Sequence, residues 1–189
     1  MSPLPSHPSR ASRVYLAGFM GSGKSTIGPI LANAIGYSFI DLDSAIESES
    51  GCTVDELFRK EGEQKFRERE RSALRSVIKN SSIVVALGGG VLTDAGSLAI
   101  VRESGIVVYL RVTMDELIRR LHGRHGRPLL TTEKGEPLSP QALRERVGAL
   151  FAAREPIYMQ AEIIVDTEGR TVGLTVDHIV KKLSVYLPQ

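Results

Sequence analysis

Cysteine is nearly absent from this sequence, since Cys52 is the only one in 189 residues. No disulfide can therefore form within the chain, and nothing around Cys52 has the cysteine or histidine spacing of a metal site. Long hydrophobic runs are absent too, because no apolar run approaches the roughly 20 residues that a membrane-spanning helix needs. We expect neither a disulfide-stapled protein nor a membrane protein.

An excess of one charge is also lacking. Lysine and arginine number 24, aspartate and glutamate 22, and the two signs are interspersed along a chain of formal net charge +2. Binding to a nucleic-acid backbone needs a continuous basic stripe, so we expect no nucleic-acid partner. Local clusters of arginine instead favour small anionic ligands, because the guanidinium fork matches carboxylate and phosphate oxygens.

Length and composition indicate one domain, because 189 residues of which 42% are hydrophobic can bury a sizeable core. The first residues, MSPLPSHPSR, have proline and serine but no apolar core, so we predict neither a signal peptide nor a membrane anchor. Residues 1–13 are predicted to be a disordered tail on a cytoplasmic protein, and residues 14–189 a single domain. No exposed apolar stripe requires a partner, and we expect a monomer.

Strands and helices are predicted to alternate along the whole domain. Short apolar runs rich in β-branched residues are typical of buried strands, and capping patterns mark the starts of the helical segments between them. This order predicts an α/β fold of three layers, α/β/α, around a five-stranded parallel sheet that binds ligands at the carboxyl ends of its strands. The strand candidates are 14–17, 38–42, 83–87, 106–110 and 162–165, and the capping pairs are Thr53 with Glu56, Thr113 with Glu116 and Ser139 with Pro140.

A phosphate-binding loop follows the first strand candidate. The stretch GFMGSGKS, from Gly18 to Ser25, fits G-x-x-x-x-G-K-[ST] between a strand and a helix. Lys24 is predicted to bridge the outer phosphates of a nucleotide, and the Ser25 hydroxyl to bind Mg²⁺. Pro29, within the first two turns of the next helix, is expected to have only a local effect. The backbone N–H groups predicted to face phosphate oxygens are those of Gly21, Ser22, Gly23, Lys24 and Ser25, with Thr26 directly after them.

Two aspartates end the second strand candidate. Side chains alternate along a strand, so Asp41 and Asp43 are predicted to lie on the same side, beside the metal and the terminal phosphate. Asp41 can then steady Mg²⁺, while Asp43 takes the proton of an attacking hydroxyl. The alternative is that Asp43 only caps the helix that follows.

Two further features belong to the same edge of the predicted sheet. Gly88, Gly89 and Gly90 end the third strand candidate, where the missing Cβ atoms let the backbone approach a ligand. The long stretch 122–138 has no clear periodicity and carries glycine, proline and charges, which is typical of a mobile lid.

Taken in order, these motifs resemble the shikimate kinase family over nearly the whole chain after Arg13. That resemblance implies a P-loop kinase fold and ATP-dependent phosphorylation of the 3-hydroxyl of shikimate, in the pathway to the aromatic amino acids. The matching stretches are GFMGSGKST, FIDLDSAIE, GEQKFRERE, LGGGVL, GRPLL and AREPIY.

The resemblance also implies roles for individual residues. Arg67 and Arg154 match the arginines that bind the substrate carboxylate, and Asp43 matches the catalytic base. The glycine run, Gly89 above all, matches a substrate contact. Arg127 in the lid matches the arginine that closes over the phosphates of ATP. Arg120, and more weakly Arg170, match positions near adenine.

Two other functions stay open from the sequence. A related small-molecule kinase, such as one acting on gluconate, would use the same loop and also needs a group that binds a carboxylate. A nucleotide-binding module without catalysis would keep the loop but has no need of the base Asp43. The glycine run and the stretch FRERE favour shikimate as the acceptor.

Overall fold

The computed structural model describes residues 12–121, 136 and 138–187 of the chain. Its centre is one sheet of five parallel strands in the order β2-β3-β1-β4-β5. The strands are β1 Arg13–Ala17, β2 Ser38–Asp41, β3 Ile83–Ala86, β4 Ile106–Arg111 and β5 Ile163–Asp166. Each predicted strand is confirmed to within one residue at either end.

Seven helices accompany the sheet in the described part of the chain. Helix α3 is interrupted at Gly62, whose backbone is not helical. A short 3₁₀ turn, Val91–Thr93, follows β3. The helices are α1 Lys24–Ile35, α2 Leu42–Ser50, α3 Val54–Val77, α4 Ala95–Ser104, α5 Met114–Leu121, α6 Pro140–Tyr158 and α7 Val172–Leu183.

The sheet is buried on both faces, which explains why its strands are nearly continuous apolar runs. Helices α1 and α7 cover one face, and α2, α3, α4 and the end of α6 cover the other. A smaller core joins α5 and α6 to Phe19 of the loop after β1. The predicted three-layer α/β/α fold is confirmed, and because all strands run in parallel their carboxyl ends share one edge.

Local signals set the helix starts as the sequence predicts. Thr53 and Glu56 form a complete capping box at α3, and the Ser139 hydroxyl accepts the N–H of Ala142 with Pro140 in the first turn of α6. The Thr113 hydroxyl accepts the N–H of Glu116 at α5. Helix α1 continues through Pro29 to Ile35, so the proline has only a local effect.

The ends of the predicted domain differ in part from the structure. Arg13, assigned to the tail, is the first residue of β1 and is buried, and its guanidinium donates hydrogen bonds to the carbonyls of Ile78, Asn80 and Ser104. The rest of the predicted tail, apart from Ser12, and nearly all of the predicted lid lie outside the described residues. Within the described part of the chain, no helix has both the length and the apolar character to cross a bilayer.

Candidate active site

The loop between β1 and α1 has the backbone of a phosphate cradle. Gly21 and Gly23 have φ angles of 83° and 100°, a left-handed conformation that favours glycine. The N–H groups of Gly21, Gly23 and Ser25 have no acceptor among the described residues, and they lie at the positive end of the α1 dipole. The N–H of Ser22, predicted to face phosphate, instead donates to the Phe19 carbonyl at 3.1 Å. The loop therefore offers fewer donors than the sequence predicts.

Two side chains of the loop take up positions suited to a nucleotide and its metal. The Lys24 ammonium lies across the loop and donates to the carbonyls of Gly18 at 2.7 Å and Phe19 at 3.2 Å. The Ser25 hydroxyl donates to Asp41 Oδ2 at 2.9 Å. A cation with octahedral ligands at 2.0–2.1 Å has neighbouring ligands about 2.9 Å apart, so this pair of oxygens suits Mg²⁺.

The two aspartates do not lie on one strand, and the predicted reason for their placement is wrong. Strand β2 ends at Asp41, whose carboxylate accepts the N–H of Ser44 and caps α2. Asp43 lies in the first turn of that helix, so strand alternation does not apply to it. The residue that caps α2 is therefore Asp41 and not Asp43.

The glycine run after β3 brings three predicted residues together. A Cβ atom on Gly88 would overlap the carboxylate of Asp43, and one on Gly90 would lie 2.6 Å from the Arg67 guanidinium. A Cβ atom on Gly89 would lie 3.1 Å from a terminal nitrogen of Arg154. Close approach of these side chains, and not a positive φ, favours glycine at the three positions. One base candidate and two cations thus converge on three consecutive residues.

Arg67 is held on α3 by carboxylates and aromatic rings. Its guanidinium donates to Glu70 at 2.7 Å and to Glu63 at 3.3 Å, and it lies within 6 Å of the ring centres of Phe58 and Phe66. Its side chain is only 14% exposed. Rings and carboxylates together fix the direction of the fork, so a ligand meets a guanidinium whose geometry is already set.

Glu70 is a site residue that the sequence interpretation missed. Its side chain is 1% exposed, and burial raises its pKa from 4.5 to about 6, although the adjacent Arg67 lowers it. Asp43 and Asp94 add to the upward shift because they place negative charge nearby. The spacing of three residues in FRERE signals a helical pair of Arg67 with Glu70, but the sequence gives no sign of the burial.

The raised pKa of Glu70 predicts a pH dependence of stability. Between about pH 4.5 and pH 6 the folded chain holds a proton that the unfolded chain has lost, so stability falls as pH rises through this window. Comparison of the wild type with Glu70→Gln by chemical denaturation from pH 4 to pH 7 should give a difference that changes by about 2 kcal/mol. A difference independent of pH would contradict the assignment.

Arg154 on α6 differs from Arg67 in having no carboxylate within ion-pairing distance in the described part of the chain. Its guanidinium lies 5.7 Å from the ring centre of Phe19, and it approaches Gly89 beside the hydroxyl of the buried Tyr158. Next to Gly89, it is a half-buried cation that has no counter-ion among the described residues, which is what an anionic ligand needs.

Of the three remaining predicted arginines, only Arg120 is found in contact with the phosphate loop within the part of the chain that the structure describes. Arg120 on α5 donates to Glu116 at 2.7 Å and to the Gly21 carbonyl at 3.1 Å, so it lies against the phosphate loop. Arg170 lies in an open groove with side chains of α7, and no contact among the described residues joins it to that loop. Arg127 lies outside the described residues.

With this fold and this cluster in place, comparison with known proteins decides the family. The family model for shikimate kinase matches residues 20–184. The chain belongs to the shikimate kinase family. A shikimate kinase of Chlorobium chlorochromatii (strain CaD3) is 43% identical over 176 residues, which cover 93% of each chain. The family predicted from the sequence is confirmed, and the chain is an ATP-using kinase.

Solved structures agree with the shikimate kinase family. A shikimate kinase from Acinetobacter baumannii, solved in complex with shikimate, has a TM-score of 0.82 at 32% identity and covers 92% of this chain and 93% of its own. A gluconokinase from Sinorhizobium meliloti 1021 has a TM-score of 0.59 at 19% identity, with 93% of each chain covered. At that identity the second likeness shows a shared fold and nothing about the acceptor.

Proposed function

We propose that the chain transfers the terminal phosphoryl group of ATP to the 3-hydroxyl of shikimate, giving shikimate 3-phosphate and ADP for aromatic amino-acid biosynthesis. The observation that carries this proposal is the contact of one glycine run with Asp43, Arg154 and Arg67 together. Shikimate is a ring with one carboxylate and several hydroxyls, so it needs cations at one end and an acceptor of protons at the other. The enzyme acts as a monomer and a single domain.

Arg67 and Arg154 bind the carboxylate of shikimate from two sides. Arg67 is already neutralised in part by Glu70 and Glu63, whereas Arg154 has no carboxylate partner in the part of the chain that the structure describes. The substrate carboxylate therefore supplies the counter-ion that Arg154 lacks. Glycine at these three positions lets the charged groups lie directly against the backbone of the run.

Asp43 acts as the general base. Its carboxylate lies against Gly88 at the same run, and it accepts the proton of the 3-hydroxyl as that oxygen attacks the terminal phosphorus. The new bond joins this oxygen to phosphorus, while the bond from phosphorus to the bridging oxygen of ADP breaks. Asp43 lies in the first turn of α2, which begins at Leu42. The helix therefore fixes the orientation of the carboxylate that takes the proton.

The phosphates of ATP are held by the loop after β1. Donors from Gly21, Gly23 and Ser25 and the positive end of α1 neutralise charge, and Lys24 exchanges its loop carbonyls for phosphate oxygens. Ser25 and Asp41 would hold Mg²⁺, which would withdraw charge from the phosphate oxygens.

Residues 122–138 form a lid whose Arg127 neutralises charge that develops during transfer. Closure of this lid excludes water, which would otherwise compete with the 3-hydroxyl as acceptor. Arg120, which donates to the Gly21 carbonyl, lies next to the nucleotide. A place for Arg170 near adenine rests on the family resemblance alone. Both alternatives from the sequence fit less well. A module without catalysis has no use for Asp43 beside a cation pair, and the glycine run with the stretch FRERE favours shikimate over gluconate.

The acceptor is tested by ADP release from the purified chain with ATP and Mg²⁺. Shikimate, gluconate, a nucleoside monophosphate and a mixture without acceptor are compared at equal concentrations. We expect only shikimate to stimulate release. Stimulation by gluconate instead would overturn the assignment of the acceptor, and ATP binding without stimulation by any of them would favour the module without catalysis.

Two glycine substitutions separate the roles within the run. A methyl group on Gly88 displaces the Asp43 carboxylate, so Gly88→Ala should mainly lower kcat, by about tenfold or more. A methyl group on Gly90 displaces the Arg67 guanidinium, so Gly90→Ala should mainly raise the KM for shikimate. Steady-state kinetics with both substrates measures the difference. If both variants changed kcat and the KM for shikimate in the same way, Gly88 and Gly90 would not have the separate roles proposed here.

A further inference from the structure

Tyr158 connects two parts of the proposed substrate site. It ends α6, one helical turn after Arg154, and its side chain is 2% exposed. Its hydroxyl donates a hydrogen bond to the Gly89 carbonyl, and the Arg154 guanidinium lies beside it at the same glycine. The ring packs on Tyr109 of β4 with their centres 5.2 Å apart. One buried hydroxyl therefore lies beside both the glycine run and a proposed carboxylate-binding cation.

The hydrogen bond from Tyr158 fixes a peptide plane in the glycine run. The Gly89 carbonyl and the Gly90 N–H belong to one planar peptide and point in opposite directions. Because the carbonyl is held at Tyr158, the Gly90 N–H points away from α6, and it has no acceptor among the described residues. Three glycines in a row have unusual backbone freedom, so a fixed point in their centre decides which conformation a substrate meets.

A purely structural explanation also exists, because buried tyrosine hydroxyls usually find a hydrogen-bond partner. Tyr15 is an example within this chain. It is fully buried, and its hydroxyl is 2.7 Å from the Ser104 hydroxyl, at the end of α4 that precedes β4. Tyr158 differs in its neighbours, since Gly89 and Arg154 both belong to the proposed substrate site. The two tyrosines therefore form a matched pair for an experiment.

We propose that Tyr158 is a positioning residue for shikimate, which holds the glycine run and Arg154 in the arrangement that binds the substrate carboxylate. This inference rests on the proposed function. Loss of the hydroxyl leaves the ring on Tyr109 but frees the Gly89 carbonyl and removes a neighbour of Arg154. The effect falls mainly on shikimate binding, because the Tyr158 hydroxyl makes no hydrogen bond to the phosphate loop among the described residues.

The test compares Tyr158→Phe with Tyr15→Phe. Steady-state kinetics gives kcat and the KM of each substrate, calorimetric titration gives the Kd of shikimate without turnover, and thermal unfolding gives Tm. We expect Tyr158→Phe to raise the KM and Kd of shikimate about 3- to 10-fold, as for the loss of one hydrogen bond, with the KM of ATP within about twofold of the wild type. Tyr15→Phe should lower Tm without changing either shikimate constant.

Two results would overturn the inference. Shikimate constants unchanged in Tyr158→Phe, at any Tm, would leave the tyrosine with a structural role only. An equal rise in Tyr15→Phe would show that any lost buried hydrogen bond loosens the site. Wild-type protein without shikimate-dependent ADP release would instead overturn the proposed function itself, so the two failures are distinguishable.

Discussion

Replacing Asp43 with asparagine is expected to lower kcat by about 10²- to 10⁴-fold, the usual contribution of a positioned general base. Asparagine keeps the size of the side chain beside Gly88 but cannot take the proton of the 3-hydroxyl. The Kd of ATP, measured by calorimetric titration, should stay within about threefold of the wild type, because Asp43 lies outside the phosphate loop. A lower kcat with an unchanged Kd of ATP would show that Asp43 acts in the transfer step and not in nucleotide binding.

Glu49→Gln is the matched control for this variant. Glu49 lies on the same helix, α2, and is exposed, so its replacement removes one negative charge without touching the glycine run. It should leave kcat within about twofold of the wild type. A kcat of Asp43→Asn similar to that of Glu49→Gln would remove Asp43 from the chemistry.

Removal of Arg67 is expected to raise the KM for shikimate about 10- to 100-fold, because a hydrogen bond to a charged group contributes about 1.5–3 kcal/mol. The simple variant Arg67→Ala has a second effect, since it leaves the buried Glu70 without its cation. The double variant Arg67→Ala with Glu70→Gln avoids that buried charge. Steady-state kinetics on it should show the raised KM with a smaller change in kcat.

Arg69→Ala provides the control on the same helix. Arg69 pairs with Glu61 at 2.7 Å and is 45% exposed, and it is not part of the glycine-run cluster. Its loss should change the KM for shikimate less than twofold. Arg154→Ala should behave like the Arg67 double variant. Unchanged KM values in the variants of both Arg67 and Arg154 would place the carboxylate elsewhere.

Features that depend on local chemistry were predictable from the sequence. The phosphate loop needs glycine at Gly21 and Gly23 because their φ angles are positive, and a motif match captures that requirement directly. The five strands are short apolar runs because both faces of the sheet are buried. These requirements act within a few residues, so they leave a clear pattern.

The boundary at Asp41 shows where sequence patterns reach their limit. In the stretch FIDLDSAIE, the strand could continue to Asp43, or a helix could begin after Asp41. Asp43 lies on the strand in the first case and on the helix in the second. Capping decided the outcome, because Asp41 accepts the N–H of Ser44 and α2 begins at once. Alternation along a strand therefore does not explain the position of Asp43.

Contacts between distant segments leave no local pattern in the sequence, and only the family resemblance assigned Asp43, Arg67 and Arg154 to one site. These residues belong to three helices, and only the folded chain brings them to one glycine run. Glu70 and Tyr158 occur at helical spacings from Arg67 and Arg154, yet spacing alone does not reveal that both are buried. Burial depends on the packing of α3 and α6 against the sheet, which no local pattern encodes.

The most direct test of the central claim is NMR of the product formed from ATP and shikimate by the purified chain. We expect a new phosphate ester whose phosphorus couples to the proton on carbon 3 of the ring. The proton signals of the other ring positions should show no coupling to phosphorus. A phosphate on another hydroxyl, or ADP formed with free phosphate and unchanged shikimate, would contradict the account.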